Sequence, residues 1–251
     1  MKNHIKEVLA NGGVSIGTWH TVCSIEVCEA IAELGFDWIA IDMEHGSADV
    51  AYAKQAFMAM ERHGCAPFVR MPSADHYLAR RLLDAGAHGL LVPVVEDPDA
   101  FTAFAKHCLY PPEGRRGVTL DRFNGWGGSF EEYLRDFRPV LVPMIETRRG
   151  VAAAEALARL PFVDGLFFGP YDLSTDLGTP GDFTTPDFRA ALDAVKLACA
   201  RAGKAAGGHQ IAPDDEELRK RIEEGFRFVA LSNDMLAMRS ALGGVRKFKR
   251  T

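Results

Sequence analysis

The stretch Glu33-Leu34-Gly35-Phe36-Asp37-Trp38-Ile39-Ala40-Ile41-Asp42 decides how this chain is read. An apolar helical stripe, Val27, Ile31 and Leu34 at i, i+4 and i+7, runs into Gly35, and a short continuous apolar run follows. Glycine readily takes the left-handed conformation that closes a helix, so Gly35 marks a helix end. An apolar run without polar alternation is what a parallel strand covered on both faces requires. The unit is helix, glycine, strand.

The unit recurs. Arg62-His63-Gly64 precedes Pro67-Phe68-Val69-Arg70, and Asp84-Ala85-Gly86 precedes Leu90-Leu91-Val92-Pro93. Further on, Arg201-Ala202-Gly203 precedes Ala205-Ala206-Gly207, and Glu223-Glu224-Gly225 precedes Phe228-Val229-Ala230-Leu231. Residues 14–20, 140–146 and 165–169 have strand composition without the glycine signal. Eight strands with intervening helices in 251 residues predict a (β/α)8 barrel, one domain over residues 1–251. A doubly wound open sheet is the alternative, but no G-x-G-x-x-G follows the first strand. Two long connections, 110–137 and 173–186, read either as lids or binding loops or as solvated insertions or oligomer contacts.

Composition narrows the partners. Lys plus Arg number 29 against 34 Asp plus Glu, a net charge of −5. Lys247-Phe248-Lys249-Arg250 reads as a solvated tail, so nucleic acid is not an expected partner. The longest apolar run, residues 89–95, is too short for a membrane span, and residues 1–13 lack a signal-peptide core. Five cysteines without a CxxC pair read as reduced thiols, with Cys28 and Cys199 on apolar stripes. The expected location is cytoplasmic.

In a barrel, chemistry gathers where the strands end. The polar residues at the predicted C-terminal ends are His20, Asp42, Glu44, His45, Arg70, Glu146, Asp172, His209, Asn233 and Asp234. Carboxylates outnumber cations in that set, which a bound divalent metal would balance. Glu146 closes an apolar strand and is costly to desolvate unless something cationic meets it. With Asp172 after the next strand it offers two oxygen ligands, a set suited to Mg²⁺ or Mn²⁺. The competing reading is a rim salt bridge to Arg70, Arg148 or Arg149. His45 is either a general base or a surface histidine. Arg70, if it points inward, suits a developing oxyanion or a carboxylate. No lysine sits at a predicted strand C-terminus, so a Schiff-base nucleophile is missing.

The run from Gly35-Phe36-Asp37-Trp38 through Ile41-Asp42-Met43-Glu44-His45 resembles the HpcH/HpaI aldolase family, the metal-dependent pyruvate aldolases. So do Val69-Arg70-Met71-Pro72, Leu82-Leu83-Asp84-Ala85-Gly86, Leu91-Val92-Pro93, Tyr110-Pro111-Pro112-Glu113-Gly114, Ile145-Glu146-Thr147 and Gly169-Pro170-Tyr171-Asp172-Leu173-Ser174. The similarity runs in order from about residue 17 to residue 236.

The resemblance implies a barrel whose last helix is exchanged with a neighbouring subunit in a dimer-based oligomer, up to a hexamer. It implies Glu146 and Asp172 as ligands of Mg²⁺ or Mn²⁺, with Co²⁺ a further candidate and Asp42 and Glu44 around that metal at one remove. Arg70 would steady the C2 oxygen of a 2-oxo acid, and His45 paired with Asp84 would be the acid/base. Trp19 would lie beside the substrate, and the backbone amides of Tyr171 and Asp172 would hold its carboxylate. The implied reaction cleaves or forms a 4-hydroxy-2-oxo acid, giving pyruvate or a related oxo acid and an aldehyde through a metal-stabilised enolate. Since Asp84 ends a helix just before a strand, it would meet His45 only across a subunit boundary. A CoA-ester lyase of the same superfamily and a non-catalytic metal- or oxo-acid-binding barrel are the alternatives.

Three departures bear on the substrate. Met144 stands where the family commonly has Gln, the 110–137 connection diverges after Gly117, and His209 and Gln210 replace a more apolar stretch found in many members. They fall where a substrate tail or aldehyde would rest, which leaves the physiological substrate open.

Overall fold

The computed structural model describes residues 2–248; Lys249 and Arg250 of the basic tail lie outside the described residues. Eight strands form a closed parallel barrel in sequence order: β1 (Ser15–His20), β2 (Trp38–Asp42), β3 (Ala66–Arg70), β4 (Gly89–Val92), β5 (Val140–Ile145), β6 (Gly165–Phe168), β7 (Ala205–Gln210) and β8 (Phe226–Asn233). Closure by β8 against β1 removes the open-sheet alternative. Around and between them run α1 (His4–Ala10), α2 (Ile25–Ala32), α3 (Val50–Arg62), α4 (His76–Ala85), α5 (Pro98–Cys108), α6 (Phe130–Asp136), α7 (Arg148–Ala158), α8 (Pro170–Asp176), α9 (Pro186–Ala202), α10 (Asp215–Glu223) and α11 (Asp234–Leu242).

The repeated glycine does what its position requires. Gly86 closes α4 at φ 116° and Gly203 closes α9 at φ 65°, each just before a strand. Inside the barrel, large rings from some strands fill space that glycine leaves on their neighbours. The Trp38 ring stacks on Phe228 at 4.4 Å, and a Cβ on Gly17 would sit 2.0 Å from the indole. That large-against-small layering makes the interior a packed core rather than a pore. The second apolar layer lies between the outer strand faces and the helices, where Cys28, Cys65, Cys108 and Cys199 are buried as free thiols.

The 110–137 connection is not an unstructured loop. It contains a 3₁₀ turn over Arg122–Gly127 and then α6, packed as a small cluster of Tyr110, Phe123, Tyr133 and Phe137. The buried Arg116 guanidinium lies 4.6 Å from the Tyr110 ring centroid and bonds Asp84 at 2.7 Å. The cluster was hidden from sequence because its aromatics follow no single helical period. No described helix is long and apolar enough to cross a membrane.

Candidate active site

Alternation along a strand decides which rim residues reach the mouth of the barrel. On β2 and β3, Trp38, Ala40, Phe68 and their neighbours in the pleat fill the interior, which carries Asp42 and Arg70 to the same face. Nε of Arg70 donates to Oδ1 of Asp42 at 2.9 Å, and Nη2 donates to Oδ2. The guanidinium lies 4.7 Å from the ring centroid of Trp19, which is buried on the inner face of β1. Asp42 also shapes the turn after β2, where its Oδ1 accepts from the amides of Glu44 and His45, both at 3.1 Å.

Glu146 follows β5 and is buried. Its Oε2 accepts from the Val94 amide at 2.7 Å. Burial pushes its carboxyl up to about 7, and the charges of Glu44 and Asp172 push the same way. Glu44 is raised too, chiefly by burial, with Asp42 and Asp172 adding to it against the pull of Arg70. Asp172 lies in the first turn of α8 and is exposed. Glu146 and Glu44 thus both feel the Asp172 charge.

The arginines that a rim salt bridge would need are engaged elsewhere. Arg70 holds Asp42, Arg148 lies 3.3 Å from Asp176, and Arg149 lies 3.0 Å from Glu96. Arg70 also comes within 3.5 Å of Glu44, but Glu146 has no ion pair of its own among the described residues. A buried carboxylate so placed beside Asp172 is a donor set that fits a hard divalent ion. No cluster of three or more His, Cys, Asp or Glu with ligand spacing occurs among the described residues, so protein oxygens would fill only part of such a shell.

Other rim residues go elsewhere. His20 alternates with Trp19 and therefore faces outward, Nδ1 3.0 Å from Asp234 and its ring stacked on Tyr52 at 5.9 Å. Asp234 and Asn233, expected at the mouth, instead serve the start of α11, where Asn233 caps the helix by accepting from the Leu236 amide. His45 is largely exposed, with Nε2 3.7 Å from Glu44. Asp84 ends α4 at the opposite end of the barrel, bound to Arg116, so one chain does not bring it to its own His45. Tyr171 exposes its side chain beside Asp172 at the start of α8.

Residues 15–241 match the family described as HpcH/HpaI aldolase/citrate lyase. The chain belongs to that family. It is 36% identical over 244 residues to the hydroxypyruvate/pyruvate aldolase of Chromohalobacter salexigens, covering 96% of this chain and 94% of that one. It is 32% identical over 241 residues to the 5-keto-4-deoxy-D-glucarate aldolase of Shigella sonnei, covering 95% and 93%. Among solved structures, a HpcH/HpaI aldolase/citrate lyase family protein from Burkholderia cenocepacia superimposes with a TM-score of 0.89 at 34% identity, covering 98% of this chain and 100% of that one. As a member of the HpcH/HpaI family, the protein is a carbon–carbon lyase.

Two features of this HpcH/HpaI site escaped the sequence reading. Val94 takes a positive φ of 50°, a strained conformation for a β-branched residue, and that turn aims its amide at Glu146. Nothing in Val92-Pro93-Val94-Val95 announces it. Gly169 is the second: a Cβ there would lie 2.5 Å from Cγ of Glu146, so α8 comes this close only because the residue is glycine. A glycine between an apolar run and a proline was the available signal.

Proposed function

We propose that the protein catalyses the reversible aldol cleavage of a 4-hydroxy-2-oxo acid to pyruvate, or a related 2-oxo acid, and an aldehyde. Glu146 and Asp172 would hold a divalent cation, Mg²⁺ or Mn²⁺ with Co²⁺ as a further candidate. The observation that carries this is Glu146 itself: buried, raised to about 7, beside Glu44 and Asp172, and without an ion pair of its own among the described residues. Such a cation supplies a Lewis-acid charge opposite the oxygen where negative charge grows.

The chain's own groups do the rest. Arg70, locked in place by Asp42 and Trp19, presents fixed donors to the C2 oxygen and binds it more strongly as charge builds there. His45 removes the C4 hydroxyl proton as the C3–C4 bond breaks and the aldehyde leaves. The bond's electron pair passes to C3 and the C2 oxygen as the enolate, and a proton returned to C3 gives the 2-oxo acid; the reverse direction runs through the same transfers. Asp84 of a second subunit orients that imidazole, and Arg116 fixes the Asp84 carboxylate. The amides of Tyr171 and Asp172 receive the substrate carboxylate, which asks nothing of the exposed Tyr171 ring.

The same reading makes the protein an oligomer. No residue of α11 is buried, and Met235 and Met238 are 41% and 48% exposed. Beside them an apolar cavity of about 400 Å³ is lined by Val22, Val27, Ile31 and Leu34. Exchange of α11 between subunits would cover both. Five free thiols, four of them buried, support a cytoplasmic location.

The test is product formation from a 4-hydroxy-2-oxo acid with Mg²⁺, Mn²⁺ or Co²⁺ and after chelation. Metal-dependent release of pyruvate is expected. Turnover insensitive to chelation, cleavage of an acyl-CoA instead, or binding without turnover would each overturn the assignment.

A further inference from the structure

His209 lies near the end of β7. Ala205 lines the barrel interior, and two-residue alternation carries Gly207 and His209 to the same face. The imidazole meets the Trp19 ring edge-on at 6.1 Å, on the indole that also carries Arg70. It also borders a cavity of about 290 Å³ that runs from Tyr171 at the start of α8 to Phe168, Phe188 and Phe226 on the helix-covered side of the strands. His209 therefore sits against the same indole as the arginine of the mouth.

The ring also has a backbone partner. It donates to the backbone carbonyl of Ser232, a residue at φ 56° where β8 shifts register against β1. That carbonyl also accepts from the Thr18 hydroxyl at 3.3 Å. The remaining nitrogen, Nε2, is buried and has no partner. Burial, and secondarily the Arg70 charge, push the imidazole down to about 4, so it stays neutral near pH 7. A neutral imidazole whose one N–H is spent on a carbonyl offers only a lone pair at the other nitrogen. It repels carboxylate and carbonyl oxygens and accepts from O–H.

We propose that Nε2 of His209 accepts a hydrogen bond from a substrate hydroxyl, making this enzyme selective for hydroxylated oxo acids or hydroxylated aldehydes over their deoxy counterparts. The proposal rests on the aldolase reading above. A buried acceptor built for a hydroxyl discriminates strongly, because the deoxy analogue leaves it unpaired.

The experiment compares wild type, His209→Leu and His209→Gln, loaded with Mg²⁺, in aldol additions with matched pairs. One pair is hydroxypyruvate against pyruvate with a common aldehyde; the other is glycolaldehyde against acetaldehyde with a common oxo acid. In wild type the hydroxylated member of one pair is preferred in kcat/KM. In His209→Leu that preference falls about ten-fold or more, and in His209→Gln, whose amide oxygen reaches a similar point, part of it returns. The pair that responds tells whether the oxo acid or the aldehyde carries the hydroxyl. An equal loss on both members of each pair, or an unchanged ratio, overturns the proposal. The same pairs titrated calorimetrically read the preference without turnover. A missing aldol product would then sink the aldolase reading while the binding ratio still decides His209.

Discussion

Asp42 and Arg70 are register partners at the ends of β2 and β3, and their side chains meet again above the pleat, Nε donating to Oδ1 at 2.9 Å. Strand pairing thus presets the direction of the only arginine seen over Trp19 among the described residues. A fork held by a carboxylate on one side and an indole on the other reorganises little when charge develops beside it.

Replacing Arg70 by Lys keeps the charge and loses the fork. Steady-state assays of Arg70→Lys are expected to show kcat lowered about 100-fold, the scale for losing one preorganised donor to a developing oxyanion. Asp42→Ala strands the guanidinium and frees the turn holding Glu44 and His45. A stability loss of about 3–5 kcal/mol in denaturant unfolding is expected in addition to lost activity.

If Glu146 holds the proposed cation, metal affinity depends on pH. Its carboxyl, raised to about 7, must lose its proton before it can hold a cation. Mn²⁺ affinity measured by calorimetry should therefore fall as pH drops below about 7, and the Glu146→Gln variant should bind weakly at every pH. Gly169→Ala probes the same group sterically. A methyl 2.8 Å from Oε1 displaces the carboxylate, so Mn²⁺ affinity should drop while circular dichroism still reports the barrel.

Acid stability should depend on the outward-facing pair His20 and Asp234. Burial alone would raise the Asp234 carboxyl, but hydrogen bonds from His20, Thr21 and Val22 hold it well below its ordinary value. A depressed carboxyl contributes stability above the unfolded-state value, near pH 4, and that contribution is lost as pH falls below it. Unfolding curves of wild type should weaken between about pH 4 and pH 2. Asp234→Asn should be less stable at pH 7 by about 1–3 kcal/mol and flatter over that acid limb.

A site shared between subunits has a genetic signature. His45→Ala and Asp84→Ala are each expected to be inactive, yet denaturing and refolding the two together should restore activity through mixed oligomers with one intact pair. Sedimentation should show an oligomer at assay concentration. A fully active monomer, or no rescue on mixing, would remove Asp84 from the mechanism.

The barrel was legible in the sequence because its signals are local. Apolar runs, helix stripes and the glycine after each stripe depend on a few neighbouring residues, and all eight predicted strands occur. Glu146 and Asp172 stood out for the same reason, a charged residue at the end of an apolar run. What the tertiary structure alone decided is direction and partnership. One residue of difference turned His20 out and Trp19 in, and strand register gave Arg70 to Asp42. The bond from the buried Arg116 to Asp84, the strained Val94 amide at Glu146 and the unpaired nitrogen of His209 come from segments far apart in the chain. Periodicity fixes which elements form; side-chain partners follow from closure of the barrel, which brings distant strand ends within bonding distance.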